Sequence, residues 1–509
     1  MTLKGASKKS VIIFSAAAAL VWQLAAFAAG NALFSFPGMS EDRFVLAVAD
    51  YCICRFIAYL ASFALLYAIA SAVTHPEGFA AGVIKSALLY LPVLLAVVAV
   101  KLPGGYLTND EYSIYNDAVN LIHDTWFNIM TVYYYIAGLM MIPFRYGPII
   151  VKVIIEFFVV GYCIRRAKGY FGKRAGSFLY VLFLLYPILA YTTSAHRLPV
   201  YFLIYLAVFA KLVFDRLENR EAGAGIAGVL FAGAVLTQWR TEGIYLLVLI
   251  PLLVFMIYPG LRNRRSAALV IISYLAIQLM LYIPQNGMTS DLSGAANDRM
   301  KPFYAYTVTN MFRNGLDTGK NAADLEVIDR YLSLETIEAI NEHYGDINYE
   351  DVLILYKEDF NGVRPEAGYT EYYDFVQASK RLFANNPDVF LRTRWGAFCY
   401  AAIPYHITPH EGAKGLVLTA FSVVKSLSYN LFIPTGFAAA LALYCLIRRR
   451  WCTFFVSGGM IAHAFIVFIL APASYFKYYF PVYILSYFYI ILILIWYFGG
   501  RKKAGLATT

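Results

Sequence analysis

The chain reads as an all-α protein that crosses a membrane many times, and three observations carry that expectation. It is 60% hydrophobic and only 15% charged, whereas soluble globular domains carry about 25% charged residues. Its mean hydropathy is +0.59. Its apolar residues gather in runs close to the ~20 residues that cross hydrocarbon, and short Lys/Arg clusters sit beside those runs.

The first run, about 10–30, follows Lys4, Lys8 and Lys9. It is longer than the apolar core of a cleaved leader, so it reads as a retained helix with a cytoplasmic N-terminus. Further runs lie at about 45–73, 79–100, 127–144, 147–164, 175–193, 198–214, 222–237, 243–258 and 266–284. After a polar stretch at 285–394 come runs near 395–405, 415–428, 430–447, 452–471 and 476–498. The total is roughly 11–14 membrane segments by length. The chain therefore divides into a transmembrane module at 1–284, a loop domain at 285–394 and a second transmembrane module at 395–509. Inside the loop domain, Ala322–Leu332, Glu335–Tyr344 and Thr370–Asn385 repeat apolar residues at helical spacing. Asn386-Pro387 opens a further helix by its cap and first-turn chemistry.

The net charge of +10 does not point to nucleic acid, because no basic stripe is interleaved with aromatics. The cations instead orient the helices. Arg165, Arg166, Lys168, Lys173 and Arg174 mark one cytoplasmic turn. Arg216, Arg220, Arg262, Arg264 and Arg265 mark two more, and Arg448, Arg449 and Arg450 another. Arg501, Lys502 and Lys503 place the C-terminus inside. The loops 101–126, 192–199, 238–243, 285–394 and 473–481 then face outside. Parity fails once on this count, so one run is half-crossing, and the short run 127–144 is the candidate. Six cysteines lie in or beside apolar runs with no CxxC pair, so neither a disulfide framework nor a zinc site is expected.

Charges inside or beside spans need a reason. Lys152 and Glu156 stand four apart on one helix and read as an ion pair. Asp50 and Arg55 read as structural. The outward loops hold the candidates for chemistry. Leu107-Thr108-Asn109-Asp110-Glu111 supplies adjacent carboxylates, suited to general-base work or to holding a divalent cation. Asp117, His123 and Asp124 follow. Ser194-Ala195-His196-Arg197 and Gln238-Trp239-Arg240-Thr241-Glu242-Gly243 carry outward arginines, whose planar fork fits phosphate oxygens; a snorkelling anchor, or an internal partner for Glu242, is the plainer account. Lys477 sits among tyrosines in the last outer turn.

In the order and sidedness of these motifs the chain resembles the GT-C superfamily of integral-membrane glycosyltransferases, in the branch akin to protein mannosyltransferases and aminoarabinose transferases. Asp110-Glu111 stands where that family has an acidic step in its first large outer loop. His123-Asp124 stands where His-Pro is expected, without the proline. Arg240-Thr241-Glu242-Gly243 fits a later Arg-x-Glu-Gly-like step. His196-Arg197 replaces the acidic residue of the intervening turn, and two spans, not one, precede the motif loop.

The resemblance implies a GT-C-like fold and transfer of a sugar from a polyprenyl-phosphate donor to a glycan, lipid or protein hydroxyl on the extracytoplasmic side, with 101–126 as the catalytic loop. Asp110 is then the base, with Glu111 its neighbour or substitute. Arg240 is the first choice for the phosphate, with Arg197 and Lys477 as further candidates; His123 orients the base or the acceptor, and Glu242 completes the binding set. It further implies a bacterial inner membrane as the location, with membrane lipid as a partner. No metal site is implied, although a divalent cation remains compatible with the acidic pair. The alternative from the same sequence is a transporter or flippase of a lipid-linked or polar solute.

Overall fold

A computed structural model of the chain describes residues 7–36, 41–122, 127–289, 300–344, 362–409 and 411–499. It is 80% helical, and no strand occurs among the described residues. Twenty-three α-helices follow one another among the described residues. They are α1 (Lys8–Gly30), α2 (Glu41–Thr74), α3 (Phe79–Leu88), α4 (Leu91–Lys101), α5 (Asn109–Val119), α6 (Ile129–Met141), α7 (Gly147–Phe171), α8 (Lys173–Ser177), α9 (Tyr180–Phe183), α10 (Tyr186–Ala190), α11 (Arg197–Leu217) and α12 (Gly225–Trp239). There follow α13 (Leu246–Ile257), α14 (Arg264–Thr289), α15 (Lys301–Arg313), α16 (Ala322–Asp329), α17 (Leu334–Tyr344), α18 (Tyr369–Asn385), α19 (Pro387–Ala402), α20 (Gly412–Ser428), α21 (Phe432–Ile447), α22 (Trp451–Leu470) and α23 (Phe480–Phe498).

Among the described residues, eight helical segments are long and apolar enough to cross a membrane, or nine if the pair α3–α4, bent by 50°, is one span. This is the architecture of a multi-pass membrane protein. Helix α1 shows why. It buries Ser15, Ala19, Gln23 and Ala26, and exposes Ile13, Leu20, Val21 and Leu24. Small and polar residues face the protein and large apolar ones face away. That inverts a water-soluble helix and suits packing in lipid, where close backbone approach drives association. Helix α2 repeats the pattern, burying Ala47, Asp50, Cys54, Ala58 and Ser62 while Val45, Phe56 and Leu60 point out.

The expected total of 11–14 segments is larger than the eight or nine found, for two reasons. The shorter apolar helices α6, α12 and α13 rise only about 18–23 Å at 1.5 Å per residue, less than a ~30 Å core. The run 175–193, expected as a span, is instead broken into α8, α9 and α10. Gly172 at φ 92° ends α7. Gly176 lies against the α7 backbone, where a Cβ would come within 2.4 Å of Lys168 N. Pro187 removes an amide. Side chains take the carbonyls that the breaks release, as a dry interior requires. The Tyr90 hydroxyl donates to Phe183 O at 2.8 Å, and in the other direction the Tyr180 hydroxyl donates to Ser86 O, near the end of α3, at 2.5 Å. Lys152 donates to Tyr191 O and Thr192 O at 2.8 and 2.9 Å, and pairs with Glu156 at 2.6 Å.

The chain forms two compact units: 1–288 with 441–459 and 484–509, and 289–440 with 460–483. In the first, α11 is the central helix, with 83% of its most apolar window buried. In the second, α15–α19 close their own core around Tyr306, Tyr331, Phe375 and Leu382. Helices α16–α19 match the periodic stretches of 322–387. The helix α15 was not anticipated; it turns Pro302, Phe303, Tyr306, Asn310 and Met311 inward together.

Candidate functional site

One end of the first unit gathers the loop before α5, the turn before α11 and the turn between α12 and α13. Gly105 at φ 79° adopts a left-handed conformation that side chains resist, and it turns the chain toward Thr108. Thr108 then caps α5. Its hydroxyl accepts from Glu111 N at 3.2 Å, while Glu111 Oε2 accepts from Leu107 N at 2.9 Å and Thr108 N at 3.0 Å. This is a reciprocal capping box.

The other oxygen of Glu111 works at long range. Oε1 accepts from Ser194 Oγ at 2.9 Å, Ala195 N at 2.8 Å and His196 N at 3.0 Å. Glu111 is fully buried, and both its oxygens are committed to the backbone that defines the site. It therefore fastens the α5 loop to the α11 turn. From below, Lys152 and Glu156 hold the same turn through Tyr191 O, Thr192 O and the Thr192 hydroxyl.

Asp110, one residue earlier, turns about 100° away on a 3.6-residue helix. Its side chain is 48% exposed, and Oδ2 lies 3.4 Å from His196 Nε2. His196 caps α11, its Nδ1 accepting from Leu198 N at 3.4 Å. The Nε2 side of the ring faces the Asp110 carboxylate. Carboxylate, imidazole and helix N-terminus thus form one assembly, an arrangement suited to accepting a proton.

The second motif stands beside it. Arg240 has extended backbone at the end of α12 and pairs with Glu242, with Nε at 2.7 Å from the carboxylate; both are buried. Gly243 packs so tightly that a Cβ would meet Leu236 O at 2.3 Å and the Tyr201 hydroxyl oxygen at 3.0 Å. Tyr201 is five residues beyond His196, about 7.5 Å along α11, so the Asp110–His196 pair and the Arg240–Glu242 pair border one helix end. The segment opening α6 ties them further. Asn128 donates to Gln238 O at 2.8 Å, and Trp239 Nε1 donates to Thr131 Oγ1 at 2.9 Å. The Arg197 guanidinium lies 4.9 Å from the centre of the Phe127 ring.

Of the expected site residues, Asp110, Glu111, Arg197, Arg240 and Glu242 thus belong to this unit, in different roles. Lys477 belongs to the second unit, with Nζ 4.6 Å from the Tyr475 ring centre. His123 lies outside the described residues. His196 was not among the expected site residues, although it lies in the outward turn Ser194-Ala195-His196-Arg197; that turn was the available signal. Among the described residues no group of three or more His, Cys, Asp or Glu is placed to hold a metal ion.

No family model, curated protein or solved structure matches the chain.

Proposed function

We propose that this protein is a GT-C-like membrane glycosyltransferase that moves a sugar from a polyprenyl-phosphate donor to an acceptor hydroxyl. The carrying observation is Asp110: a half-exposed carboxylate facing His196, set in the first turn of α5 beside its fully buried neighbour Glu111. In this reading the acceptor oxygen attacks the anomeric carbon and Asp110 takes its proton. The bond from that carbon to the phosphate oxygen breaks, its electron pair stays on the phosphate, and the configuration inverts. Developing charge on the phosphate needs a nearby cation. Arg197, at the positive end of α11, suits that role better than Arg240, whose Nε edge is paired with Glu242. The acceptor is a glycan, lipid or protein, and the site faces the extracytoplasmic side of a bacterial inner membrane, with both termini in the cytoplasm.

Purified protein in vesicles, given a radiolabelled polyprenyl-phosphate sugar and acceptor, is expected to release polyprenyl phosphate and glycosylate the acceptor. Asp110→Asn should lower turnover by about 10²–10⁴-fold, the usual worth of a positioned base, with an unchanged melting temperature. Retained turnover in Asp110→Asn would remove the base. The bend at α3–α4 and the breaks at α8–α10 favour a transporter or flippase as the second reading. Movement of labelled lipid between leaflets without sugar transfer would select it.

A further inference from the structure

Helix α11 has a second polar end, 21 residues from Arg197 to Leu217, about 30 Å away at the helical rise. There the acids are consumed. Asp215 binds Arg166 at 2.7 Å and Lys211 at 2.5 Å. Glu218 binds Arg166 at 3.1 Å and Arg220 at 2.6 Å. Arg216, between them in sequence, has no carboxylate partner among the described residues, and its Nε is buried without a hydrogen bond.

Arg216 instead lines a cavity of about 250 Å³ with Arg450 and Trp496. The remaining wall is mostly apolar and includes Leu212, Ile257 and Val456. The Arg450 guanidinium stands 5.5 Å from the Tyr444 ring centre, which rims the same cavity. The Trp496 indole N–H is buried with no acceptor among the described residues. Two guanidinium groups, an idle N–H donor and an apolar wall therefore meet where three candidate spans, α11, α22 and α23, end or begin.

From this charge and shape we propose that the cavity is a binding site for one anionic glycerophospholipid of the adjoining leaflet. The headgroup phosphate is held by Arg216 and Arg450, with Trp496 donating to it, and the first part of an acyl chain lies on Leu212, Ile257 and Val456. Cations in pockets between membrane helices recognise such headgroups, and each adds about tenfold or less in affinity near a bilayer surface. The site is separate from the Asp110 end and does not depend on the transferase reading.

The test uses the full protein reconstituted with an equal mixture of phosphatidylglycerol and phosphatidylcholine of identical chains. Native mass spectrometry then follows lipid retained through stepwise detergent exchange. Wild type is expected to keep one phosphatidylglycerol and no phosphatidylcholine. The double variant Arg216→Gln/Arg450→Gln should lose at least about tenfold of that retention, as expected for two headgroup cations. Thr453→Trp, which fills the cavity with both arginines in place, should lose it too, and carries the test alone if the arginine variant does not fold. Equal retention of the two lipids, or unchanged retention in the double variant, overturns the site. Loss in the arginine variant but not in Thr453→Trp would put the lipid on the charged surface outside the cavity, and equally overturns it.

Discussion

The two ends of α11 use the same residue types for opposite purposes. At the Asp215 end every carboxylate oxygen found has a partner: Arg166, Lys211, Arg220 and Tyr258 surround the two acids. A buried charge survives only when paired and hydrogen-bonded, and this cluster meets that condition within the protein. At the Asp110 end one acid, Glu111, is consumed in the same way. Its neighbour is held half in the open, facing a histidine. A completed network makes a latch, and a network left with one accessible member makes a group that can react. Glu111 and Asp215 are thus built into the protein's own framework, and Asp110 is the one left accessible, to which the proposed function gives the chemistry; composition does not distinguish the three.

Stability measurements can break that assignment. Arg166→Ala strips the Asp215 cluster of its central cation and leaves buried acid behind. It should cost about 3–5 kcal/mol, as removal of one partner from a buried pair does, read as a large drop in melting temperature in detergent. Glu111→Gln keeps the size but replaces one accepting oxygen with an NH2 facing donors. It should cost about 1–3 kcal/mol for the unsatisfied groups, and lower turnover as the 194–196 turn loosens. Asp110→Asn should change stability by less than about 1 kcal/mol, as partly exposed ion pairs do. If it destabilises as much as Glu111→Gln, Asp110 belongs to the latch and the contrast between the two ends collapses.

The smallest effect lies in the second unit. Asp329 is partly buried, which pushes its carboxyl up, yet the Leu334 amide and the Arg364 guanidinium outweigh that and hold it below the usual carboxylate value. A depressed pKa contributes stability that is present above about pH 4, the unfolded value, and fades as pH falls through the folded one. The protection of the first turn of α17 against hydrogen exchange, taken relative to the intrinsic exchange rate at each pH, should therefore fall below about pH 4. Asp329→Asn should already show fast exchange at neutral pH and remove the acid dependence.

The features legible in the sequence were those written in short-range pattern. The apolar run of α1 announced a lipid-facing helix, and Lys152 and Glu156 announced their pair. Asn386-Pro387 announced the start of α19, which opens at Pro387. Hydropathy failed at 175–193, because it counts apolar content and is blind to the interruptions made by Gly172, Gly176 and Pro187. The Asp110–His196 contact was hidden because its members are 86 residues apart in the chain. Thr108-x-x-Glu111 carried a readable capping pattern that would have separated Glu111 from Asp110 as a structural residue. No local pattern showed that the second oxygen of Glu111 reaches Ala195, 84 residues downstream.

That reach has a temporal side. While the chain is being synthesised, Glu111 emerges long before the turn that completes its shell. At ribosomal speeds of about 5–20 residues per second, the 84 residues separating it from Ala195 take roughly 4–17 s to arrive. Until then α5 has its local cap but only half of its anchor. The Asp110–His196 pair is assembled late, after α7 and the fractured α8–α10 stretch have been delivered, so the nascent protein passes through an interval in which its first membrane helices exist and the Asp110 carboxylate has no histidine to face.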